Sequence, residues 1–283
     1  MAEFKTDISL AKFTRFRTGG RADLFFAPDS VAELSEFLRA NSVRPIMVLG
    51  LGSNVLIRDG GIGGVVIFTG GLNKLEFKDG VITAGAGVAM PLISGFASRH
   101  NAPGFEFMIG IPGSAAGGVA TNAGCFGGQI SDLLIGVLGL NFNGETIEIP
   151  ADALYLSYRA AKIPADFIIT ELKFRAVADG GKNAEIRKKM DGIITKKAAA
   201  QPIDMRTAGS VFKNPAGGGG CAWRIIKDAF PNGLVVGGAR ISDRHANFIV
   251  ADGECQSADI ESLIKQIQDK TGLELEIRIL GKL

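Results

Sequence analysis

Two glycine-rich segments of the chain have the residue types that bind large ligands through the backbone. The first, residues 48–54, reads VLGLGSN and places a tight turn with few side chains after an apolar, strand-like run. Successive backbone N–H groups in such a turn can converge on a pyrophosphate, to which Ser53 and Asn54 would add polar contacts. The segment lacks the third glycine of the dinucleotide fingerprint, and nothing in the chain matches a P-loop. It therefore predicts a phosphate site outside the Rossmann and P-loop classes.

The second segment runs from Gly110 to Gly124 and consists almost wholly of small residues. A backbone without large side chains can pack directly against a flat ligand. Two such segments in one chain favour a two-part cofactor. Either segment taken alone is also typical of ordinary turns and tight helix packing, so a purely structural interpretation stays open beside the ligand.

The elements around these segments follow recognisable patterns. Ser30 and Glu33 form a Ser-x-x-Glu capping box, and apolar residues at helical spacing predict a helix that ends near Ala40. Strands are predicted at 45–50, 55–57, 65–68 and 167–176, a hairpin over 75–84 that turns at Asp79-Gly80, and a helix over 90–100. Residues 104–128 are predicted to form a long loop region. This mixture of elements predicts an α+β fold.

A break in the pattern at Ala178-Asp179-Gly180-Gly181 predicts a domain boundary near residues 180–185. A lysine-rich, exposed helix is predicted over 183–200. A second helix is predicted with Ser257 as its N-cap and Gly272 as its C-cap. The tail 273–279 alternates apolar and charged residues, which predicts a strand with one charged face made of Glu274, Glu276 and Arg278, of which Glu274 is the exposed one.

Composition narrows the classes of partner. The 283 residues are 46% hydrophobic and 21% charged, which is enough apolar sequence for two or three folded domains. The 31 Lys and Arg residues balance 29 Asp and Glu residues, and the sign of charge changes often along the chain. No region therefore offers the field of one sign that nucleic acid or an anionic membrane needs. Neither a signal peptide nor a membrane-spanning run is found, so the expected partners are small molecules.

Cysteine and histidine usage adds two expectations. The three cysteines, Cys125, Cys221 and Cys255, are far apart and lack the spacing of a zinc site or a disulfide framework, which fits a reducing cytoplasm. The two histidines, His100 and His245, have no evident zinc or nucleophile partner. We therefore expect structural roles for both histidines and no metal.

Six matches to a known pattern appear in order along the chain: FRTGG at 16–20, LGLGSN at 49–54, the small-residue run at 110–124, Tyr158-Arg159, AGSVFKNP at 208–215 and HANFIV at 245–250. Together these segments resemble one family closely, the UDP-N-acetylenolpyruvoylglucosamine reductases of peptidoglycan synthesis. The resemblance extends over nearly the whole chain.

The resemblance implies both a fold and a reaction. The implied fold is a two-lobed FAD-binding domain of the vanillyl-alcohol-oxidase type, at 1–70 and 71–184, followed by an α+β substrate-binding domain at 185–283 whose final strand, 273–280, reaches the active site. FAD would be bound non-covalently and reduced by NADPH, and the enolpyruvyl ether of a UDP-sugar would then be reduced to UDP-N-acetylmuramate. We expect a cytoplasmic monomer with no nucleic-acid or membrane partner.

Three residues receive catalytic roles from the resemblance. Hydride addition to an unsaturated carboxylate builds negative charge, so the reaction needs fixed positive charge at the carboxylate and a proton donor opposite the flavin. The resemblance implies that Ser210 donates the proton, that Arg159 holds the carboxylate, and that Glu276 orients or polarises the substrate. Without the resemblance, the same residues fit a loop serine, a surface arginine and the exposed face of a strand.

The resemblance also implies ligand-binding residues. Those expected to bind FAD are Gly50, Leu51, Gly52, Ser53, Asn54, Val55, Gly113, Ser114, Gly117, Gly118, Asn122, Gly124 and Arg278. Arg278 shares a strand face with Glu276, which would bring it to the flavin. Those expected to bind the substrate are Tyr158, Lys213 and Asn214, and each of these also fits an ordinary turn.

The chain departs from the family pattern at two places. Ala161 stands where a serine is expected, and Cys125-Phe126 stands where Ala-Tyr is commoner. The interval between Arg159 and Phe167 has no room for the tyrosine-bearing loop of the family's longer form, which indicates the shorter form. Two other functions stay open, namely a flavin oxidase of the same superfamily and a nucleotide-sugar-binding module without a cofactor.

Overall fold

The computed structural model describes residues 4–41, 45–177 and 180–283. Within them the chain forms two compact units, each of which combines distant segments. Unit 1 consists mainly of Phe26–Leu51 and Val66–Lys196. Unit 2 consists of Lys5–Phe25, Gly52–Val65 and Lys197–Leu283. Residues near the N-terminus therefore fold with the C-terminal third of the chain.

The described residues contain six α-helices: α1 Val31–Ala40, α2 Met90–Arg99, α3 Ala115–Ala120, α4 Asn183–Ala200, α5 Ala222–Ala229 and α6 Ser257–Thr271. The helices predicted near 90–100 and over 183–200 are thereby confirmed. The predicted cap of α1 is also present, since the Ser30 hydroxyl accepts from the Glu33 N–H at 3.1 Å. None of the described helices combines the length and the apolar character that crossing a membrane requires.

The strands of the described residues are β1 Lys5–Ser9, β2 Arg21–Phe26, β3 Ile46–Leu49, β4 Val55–Ile57, β5 Ile62–Phe68, β6 Leu75–Lys78, β7 Val81–Gly85, β8 Gly124–Cys125, β9 Gly128–Gln129, β10 Leu134–Asn141, β11 Thr146–Pro150, β12 Phe167–Arg175, β13 Val235–Val236, β14 Ala239–Ile241, β15 Ile249–Ala251 and β16 Arg278–Leu280. The predicted strands near 45–50, 55–57, 65–68 and 167–176 are confirmed as β3, β4, β5 and β12.

Unit 1 contains a five-stranded antiparallel sheet in the order β11-β10-β12-β7-β6. The hairpin predicted within it is confirmed, because β6 and β7 pair with Lys78 opposite Val81. Between them, Asp79 and Gly80 have φ angles of 48° and 77°. Two left-handed residues are what a tight two-residue turn between twisted strands needs, which explains the Asp-Gly pair.

One large core stabilises unit 1 and holds its short helices in place. The fully buried Leu172 and Phe174 of β12 belong to the same cluster as Ile93 of α2 and Val119 of α3. The rings of Phe174 and Phe105 meet edge to face, with their centroids 6.1 Å apart. Burial of each such side chain contributes about 1.5–3 kcal/mol. As a result, α3 is held against β12 and β7.

The structure corrects the prediction of a long loop over residues 104–128. The segment contains a 3-10 helix at Glu106–Gly110, then α3, β8 and β9. The prediction was wrong because alanine and glycine give no apolar periodicity from which a helix can be recognised. Tertiary packing decides the structure instead, since Gly118 of α3 lies against Met90 and Ile130.

Unit 2 has a core of its own. This core is formed by the sheet β13-β14-β15, the helices α5 and α6, and the parallel pair β4–β16. Its buried side chains include Phe16, Val211 and Ile264. β1 and β2 pair antiparallel in the same unit. These two strands were not predicted, because β1 is largely polar and exposed and so lacks an apolar face.

Helix α6 confirms the predicted C-cap and corrects the predicted N-cap. Gly272 ends the helix in the left-handed conformation, with a φ of 68°. At the other end Gln256, not Ser257, is the N-cap, and it forms a capping box with Asp259. The N–H of Ser257 instead donates to the Asp59 carboxylate at 3.0 Å. The helix is therefore capped one residue earlier than predicted.

The C-terminal tail is less regular than predicted. Only Arg278–Leu280 forms a strand, β16, which pairs in parallel with β4. Before it, Leu275 makes an isolated β-bridge to Phe212, and the Glu276 N–H donates to the Val211 carbonyl at 2.8 Å. Ile277 forms a bend, and its N–H also donates to the Val211 carbonyl, at 3.4 Å. The predicted strand is therefore confirmed only at Arg278–Leu280, and the alternation is interrupted before it.

The predicted domain boundaries stay predictions. The break proposed at 178–181 includes Ala178 and Asp179, which lie outside the described residues. The lobes 1–70 and 71–184 and the domain 185–283 were defined by the ligand that each would bind. The two units are defined by internal packing, which is a different property.

Candidate active site

The two glycine-rich segments meet in unit 1. A Cβ atom built on Gly50 would lie 2.3 Å from the Ser114 hydroxyl oxygen, which is closer than a side chain can approach. Gly113, directly before Ser114, has a φ of 122°, a conformation that favours glycine. The turn after β3 and the start of α3 therefore lie side by side, with almost no side-chain atoms between them.

The surrounding backbone already requires a glycine at position 52, and the contact of Gly52 with FAD stays a prediction. Its φ is 61°, and a Cβ there would lie 1.9 Å from the Phe13 carbonyl oxygen. The Gly52 carbonyl accepts from the Arg15 N–H at 3.0 Å. By contrast, the N–H of Leu51 donates to no backbone carbonyl in the part of the chain that the structure describes. Such an N–H is available to a phosphate oxygen.

Helix α3 presents its glycines in two directions. The Ser114 hydroxyl caps the helix by accepting from the Gly117 N–H at 3.3 Å. Gly117 is exposed, whereas Gly118 is buried, and a Cβ on Gly118 would lie 2.8 Å from the Met90 sulfur. Gly118 is therefore small because α3 packs tightly on α2, while Gly117 offers accessible backbone.

Asn122 is a buried connector within unit 1. It is 2% exposed, donates from Nδ2 to the Ser157 carbonyl at 3.2 Å, and accepts at Oδ1 from the Ser131 N–H at 3.0 Å. These bonds join the end of the small-residue run to the turn that carries Tyr158 and Arg159. The contact of Asn122 with FAD stays a prediction.

Tyr158 and Arg159 form the tip of a two-residue turn. Ser157 and Ala160 exchange backbone hydrogen bonds of 3.0 and 3.2 Å on either side of it. Arg159 has a φ of 57°, so the turn holds it in the left-handed region. Its Nη2 donates to the Gly124 carbonyl at 3.3 Å, and its guanidinium carbon lies 5.1 Å from the centre of the Tyr158 ring. The arginine is thus fixed at both its backbone and its side chain.

In unit 2 the structure brings Ser210 close to the backbone of Glu276. Ser210 forms an isolated β-bridge with Phe248. The next residue, Val211, donates to the Asn247 carbonyl at 2.9 Å and accepts from the Glu276 N–H at 2.8 Å. The residues predicted as proton donor and as orienting carboxylate therefore lie on adjacent extended segments.

Asn54 meets the tail in the same unit. Its Nδ2 donates to the Glu276 carbonyl at 3.2 Å, and its own carbonyl accepts from the Arg278 N–H at 3.1 Å. Val55 is the ladder partner of Arg278. Hydrogen bonds and strand pairing therefore join Asn54, the last residue of the first glycine-rich segment, and the adjacent Val55 to two residues of the tail.

Lys213 and Asn214 have partners within unit 2. The Lys213 ammonium binds the Glu274 carboxylate at 2.5 Å, and Glu274 is largely exposed, as predicted. Asn214 Oδ1 accepts from the Ala222 N–H at 3.0 Å, at the start of α5. Substrate binding by either residue stays a prediction.

A cavity of about 580 Å³ lies in unit 2, and no sequence motif indicated it. Trp223, Phe230 and His245 contribute to its lining. The Nδ1 atom of His245 is buried and has no hydrogen-bond partner among the described residues. Burial lowers the pKa of His245, which keeps the imidazole neutral at neutral pH. The single tryptophan of the chain was the one signal that could have indicated a surface for a planar ring.

Unit 1 fits a flat cofactor that carries a pyrophosphate. The Gly50 and Ser114 segments are poor in side chains where they meet, so a ring system can lie against their backbone. The Leu51 N–H is available to a phosphate oxygen, and the exposed Gly117 presents no side chain. A backbone donor beside a surface that is poor in side chains fits FAD.

Comparison with known proteins decides the family. A model of the FAD-binding domain matches residues 22–150, and a model of the C-terminal domain of UDP-N-acetylenolpyruvoylglucosamine reductase matches residues 201–280. The reductase of Rickettsia typhi is 37% identical over 99% of this chain and 96% of that protein. The reductase of Methylorubrum extorquens is 39% identical over 96% of this chain and 90% of that protein. The chain belongs to the UDP-N-acetylenolpyruvoylglucosamine reductase family.

A solved member of this reductase family has the same fold. The crystal structure of the reductase from Thermus caldophilus matches with a TM-score of 0.86 at 30% identity, over 99% of this chain and 98% of that one. The predicted α+β fold, with an FAD-binding domain followed by a C-terminal domain, is confirmed. As a member of this reductase family with an FAD-binding domain, the chain is an FAD-dependent oxidoreductase.

Proposed function

We propose that the chain reduces the enolpyruvyl double bond of UDP-N-acetylglucosamine enolpyruvate to give UDP-N-acetylmuramate, with NADPH as the source of electrons. The observation that carries this proposal is the similarity, over 99% of the chain, to reductases whose name states this substrate. The product is a peptidoglycan precursor, so the enzyme serves cell-wall synthesis and, through the wall, cell shape and cell division.

The catalytic residues have tasks set by the charge that develops on the substrate. FAD, when bound, carries electrons from NADPH to the alkene. Charge then builds on the neighbouring carbon and its carboxylate, which Arg159 binds with paired and permanently charged donors. Ser210 donates the proton to that carbon, and Glu276 orients the substrate. A serine hydroxyl is a weak acid, so its geometry has to be held closely for this task.

The ligand-binding residues follow the same assignment. We retain the FAD lobes at 1–70 and 71–184 and the substrate domain at 185–283. Backbone donors of the first glycine-rich segment, with the N–H of Leu51 foremost, bind the pyrophosphate, and the second segment packs on the ring system. The remaining FAD contacts and the substrate contacts are those predicted from the sequence, with Tyr158, Lys213 and Asn214 on the substrate.

The cavity of unit 2 suits the uracil ring of the substrate. Trp223 offers an aromatic face in the lining of this cavity. A base stacks on an aromatic ring whatever its hydrogen-bonding edge. We therefore assign the uridine end of the substrate to this cavity.

Replacement of Trp223 by alanine tests the uridine site. Base stacking contributes about 1–3 kcal/mol, so KM for the sugar nucleotide should rise about 5- to 150-fold. kcat should change little, because stacking on the base is the same in the ground state and the transition state. Trp223→Phe, which keeps an aromatic face, is the matched control and should retain most of the affinity. A wild-type KM in Trp223→Ala would show that the base binds elsewhere.

The cytoplasm is the proposed location. No disulfide joins Cys125, Cys221 and Cys255, and proteins of a reducing compartment commonly lack disulfides. Burial raises the pKa of Cys255 to about 12, which removes its nucleophilic character and fits a structural residue. A monomer remains our expectation for the oligomeric state.

An absorbance spectrum of the purified protein, followed by anaerobic titration, tests the proposed function. We expect flavin absorbance that is bleached by NADPH and restored by the enolpyruvyl sugar nucleotide. Peroxide formation without consumption of NADPH would instead favour an oxidase. A protein that stays colourless after reconstitution with FAD would favour a nucleotide-sugar-binding module.

A further inference from the structure

Asn247 lies in the HANFIV segment, and the proposed function assigns no task to this residue. Its side chain is buried, at 5% exposure, and both ends of its amide bind one residue. Oδ1 accepts from the Phe212 N–H at 2.9 Å, and Nδ2 donates to the Phe212 carbonyl at 2.8 Å. The Asn247 carbonyl also accepts from the Val211 N–H at 2.9 Å. Three hydrogen bonds from one residue thus fix the two residues that follow Ser210.

The Ser210 segment has little regular structure to hold it otherwise. Ser210 and Phe248 form an isolated bridge rather than a ladder. Gly209, directly before Ser210, has a φ of 84° and open space around its Cβ position. Backbone next to such a glycine has wide conformational freedom, so its direction depends on what holds the neighbouring residues.

We propose that Asn247 is a positioning residue that fixes the direction of the Ser210 hydroxyl for proton donation. The inference rests on the proposed function. The amide of Asn247 supplies an acceptor for the Phe212 N–H and a donor for the Phe212 carbonyl at once. Because the Val211 carbonyl also accepts from the Glu276 N–H at 2.8 Å, the same clamp sets Ser210 relative to Glu276.

Asn247→Asp tests the clamp, because it keeps the size of the side chain and changes one donor into an acceptor. In the ionised form of the Asn247→Asp side chain, a carboxylate oxygen replaces the Nδ2 atom that donates to the Phe212 carbonyl, so two oxygens that both accept hydrogen bonds face each other and repel. Burial and this repulsion raise the pKa of the new carboxyl, and its protonated form can again donate to the carbonyl. The clamp should therefore be lost at high pH and restored as the pH falls through the raised pKa.

The expected result is a change in one half-reaction. Stopped-flow oxidation of the reduced holoenzyme by the enolpyruvyl sugar nucleotide should be about 10- to 100-fold slower in Asn247→Asp at high pH, the scale of effect that a small misplacement produces. The rate should recover at low pH, which the wild-type enzyme should not show. The rate of flavin reduction by NADPH in Asn247→Asp should equal the wild-type rate at every pH. Hydrogen exchange of the peptide 206–216 should be faster than in wild type at high pH alone.

Asn141→Asp is the matched control. Asn141 is also a buried asparagine, 9% exposed, and its Nδ2 donates to Glu145 at 2.7 Å within unit 1. Asn141→Asp should lower thermal stability, but oxidation of its reduced flavin by the enolpyruvyl sugar nucleotide, the second half-reaction, should acquire no new pH dependence. Should Asn247→Asp fail to fold, Asn247→Ser, which lacks the reach to the Phe212 carbonyl, should slow the same half-reaction equally at all pH values.

Four outcomes would overturn the inference, and they are distinguishable. If Asn247→Asp has the wild-type rate at every pH, or slows both half-reactions together as a general loss of stability would, Asn247 does not position Ser210. If Ser210→Ala leaves the second half-reaction unchanged, the role of Ser210 itself is wrong. If the wild-type holoenzyme does not react with the enolpyruvyl sugar nucleotide, the proposed function fails first.

Discussion

Replacing Ser210 by alanine should slow oxidation of the reduced enzyme by the enolpyruvyl sugar nucleotide by about 10²–10⁴-fold, the range that a positioned proton donor supplies. Only this half-reaction places a new proton on carbon. Reduction of the flavin by NADPH involves no such step and should be unchanged. Single-turnover kinetics of the two half-reactions, measured separately, check the expectation.

A second serine variant separates loss of the hydroxyl from loss of structure. Ser262 is an exposed residue of α6 in the same unit, and Ser262→Ala should leave both half-reactions at their wild-type rates. Ser210→Cys adds a test of geometry, because a thiol is a stronger acid than a hydroxyl but is larger. Equal slowing of both half-reactions in Ser210→Ala would remove Ser210 from the role of donor.

Local patterns in the sequence were sufficient where short-range interactions decide the structure. The helix at Asn183–Ala200, the Asp79-Gly80 turn and the Ser30 cap all depend on residues within a few positions of one another. The Gly272 cap belongs to the same class, since the left-handed conformation is local. These features could be predicted because no distant segment competes with the local preference.

Long-range packing decided the features that the sequence did not predict. α3 forms in a run of alanine and glycine because it packs on the sheet of unit 1, and no periodicity indicates this. Gly52 was attributed to ligand binding, yet the close approach of the Phe13 carbonyl already requires a glycine there. Asp59, far away in the sequence, binds the N–H of Ser257 at the start of α6, a contact that no local pattern indicates.

The family motifs indicated which residues form the candidate site, and their roles stay predictions; the sequence did not indicate the interactions that hold these residues in place. The family motifs located Ser210 and Glu276, and the structure adds that Val211 links their segments. The clamp formed by Asn247 and the cavity beside Trp223 depend on segments that come together only in the fold. A motif fixes the type of residue at a position, whereas its hydrogen-bond partners follow from tertiary structure.

Replacing Arg159 by alanine should slow the half-reaction with the sugar nucleotide by about 10²–10³-fold, the loss found when one donor to a developing negative charge is removed. The charge on the substrate carboxylate grows as the alkene is reduced, so Arg159 binds the transition state more strongly than the ground state. Flavin reduction by NADPH should again be unchanged. Single-turnover rates at saturating sugar nucleotide measure the effect on chemistry rather than on binding.

The lysine variant shows whether charge alone is sufficient. Arg159→Lys keeps a cation in the same left-handed turn, so the backbone strain at a φ of 57° is the same in both proteins. An ammonium cannot bind the carboxylate with paired donors while also reaching the Gly124 carbonyl, which Arg159 contacts at 3.3 Å. We therefore expect Arg159→Lys to recover part of the rate lost in Arg159→Ala, but not all of it.

A control arginine distinguishes the loss of paired donors to the substrate from the loss of a hydrogen bond to a backbone carbonyl. Arg39 also lies in unit 1 and donates to a glycine carbonyl, that of Gly144 at 3.4 Å, but it has no proposed contact with the substrate. Arg39→Lys should therefore have wild-type rates in both half-reactions. If Arg159→Lys were as fast as wild type, a point charge would be sufficient and the paired donors of the guanidinium would have no role. If Arg159→Ala were as fast as wild type, the carboxylate must be bound by another cation, and the assignment of Arg159 would be wrong.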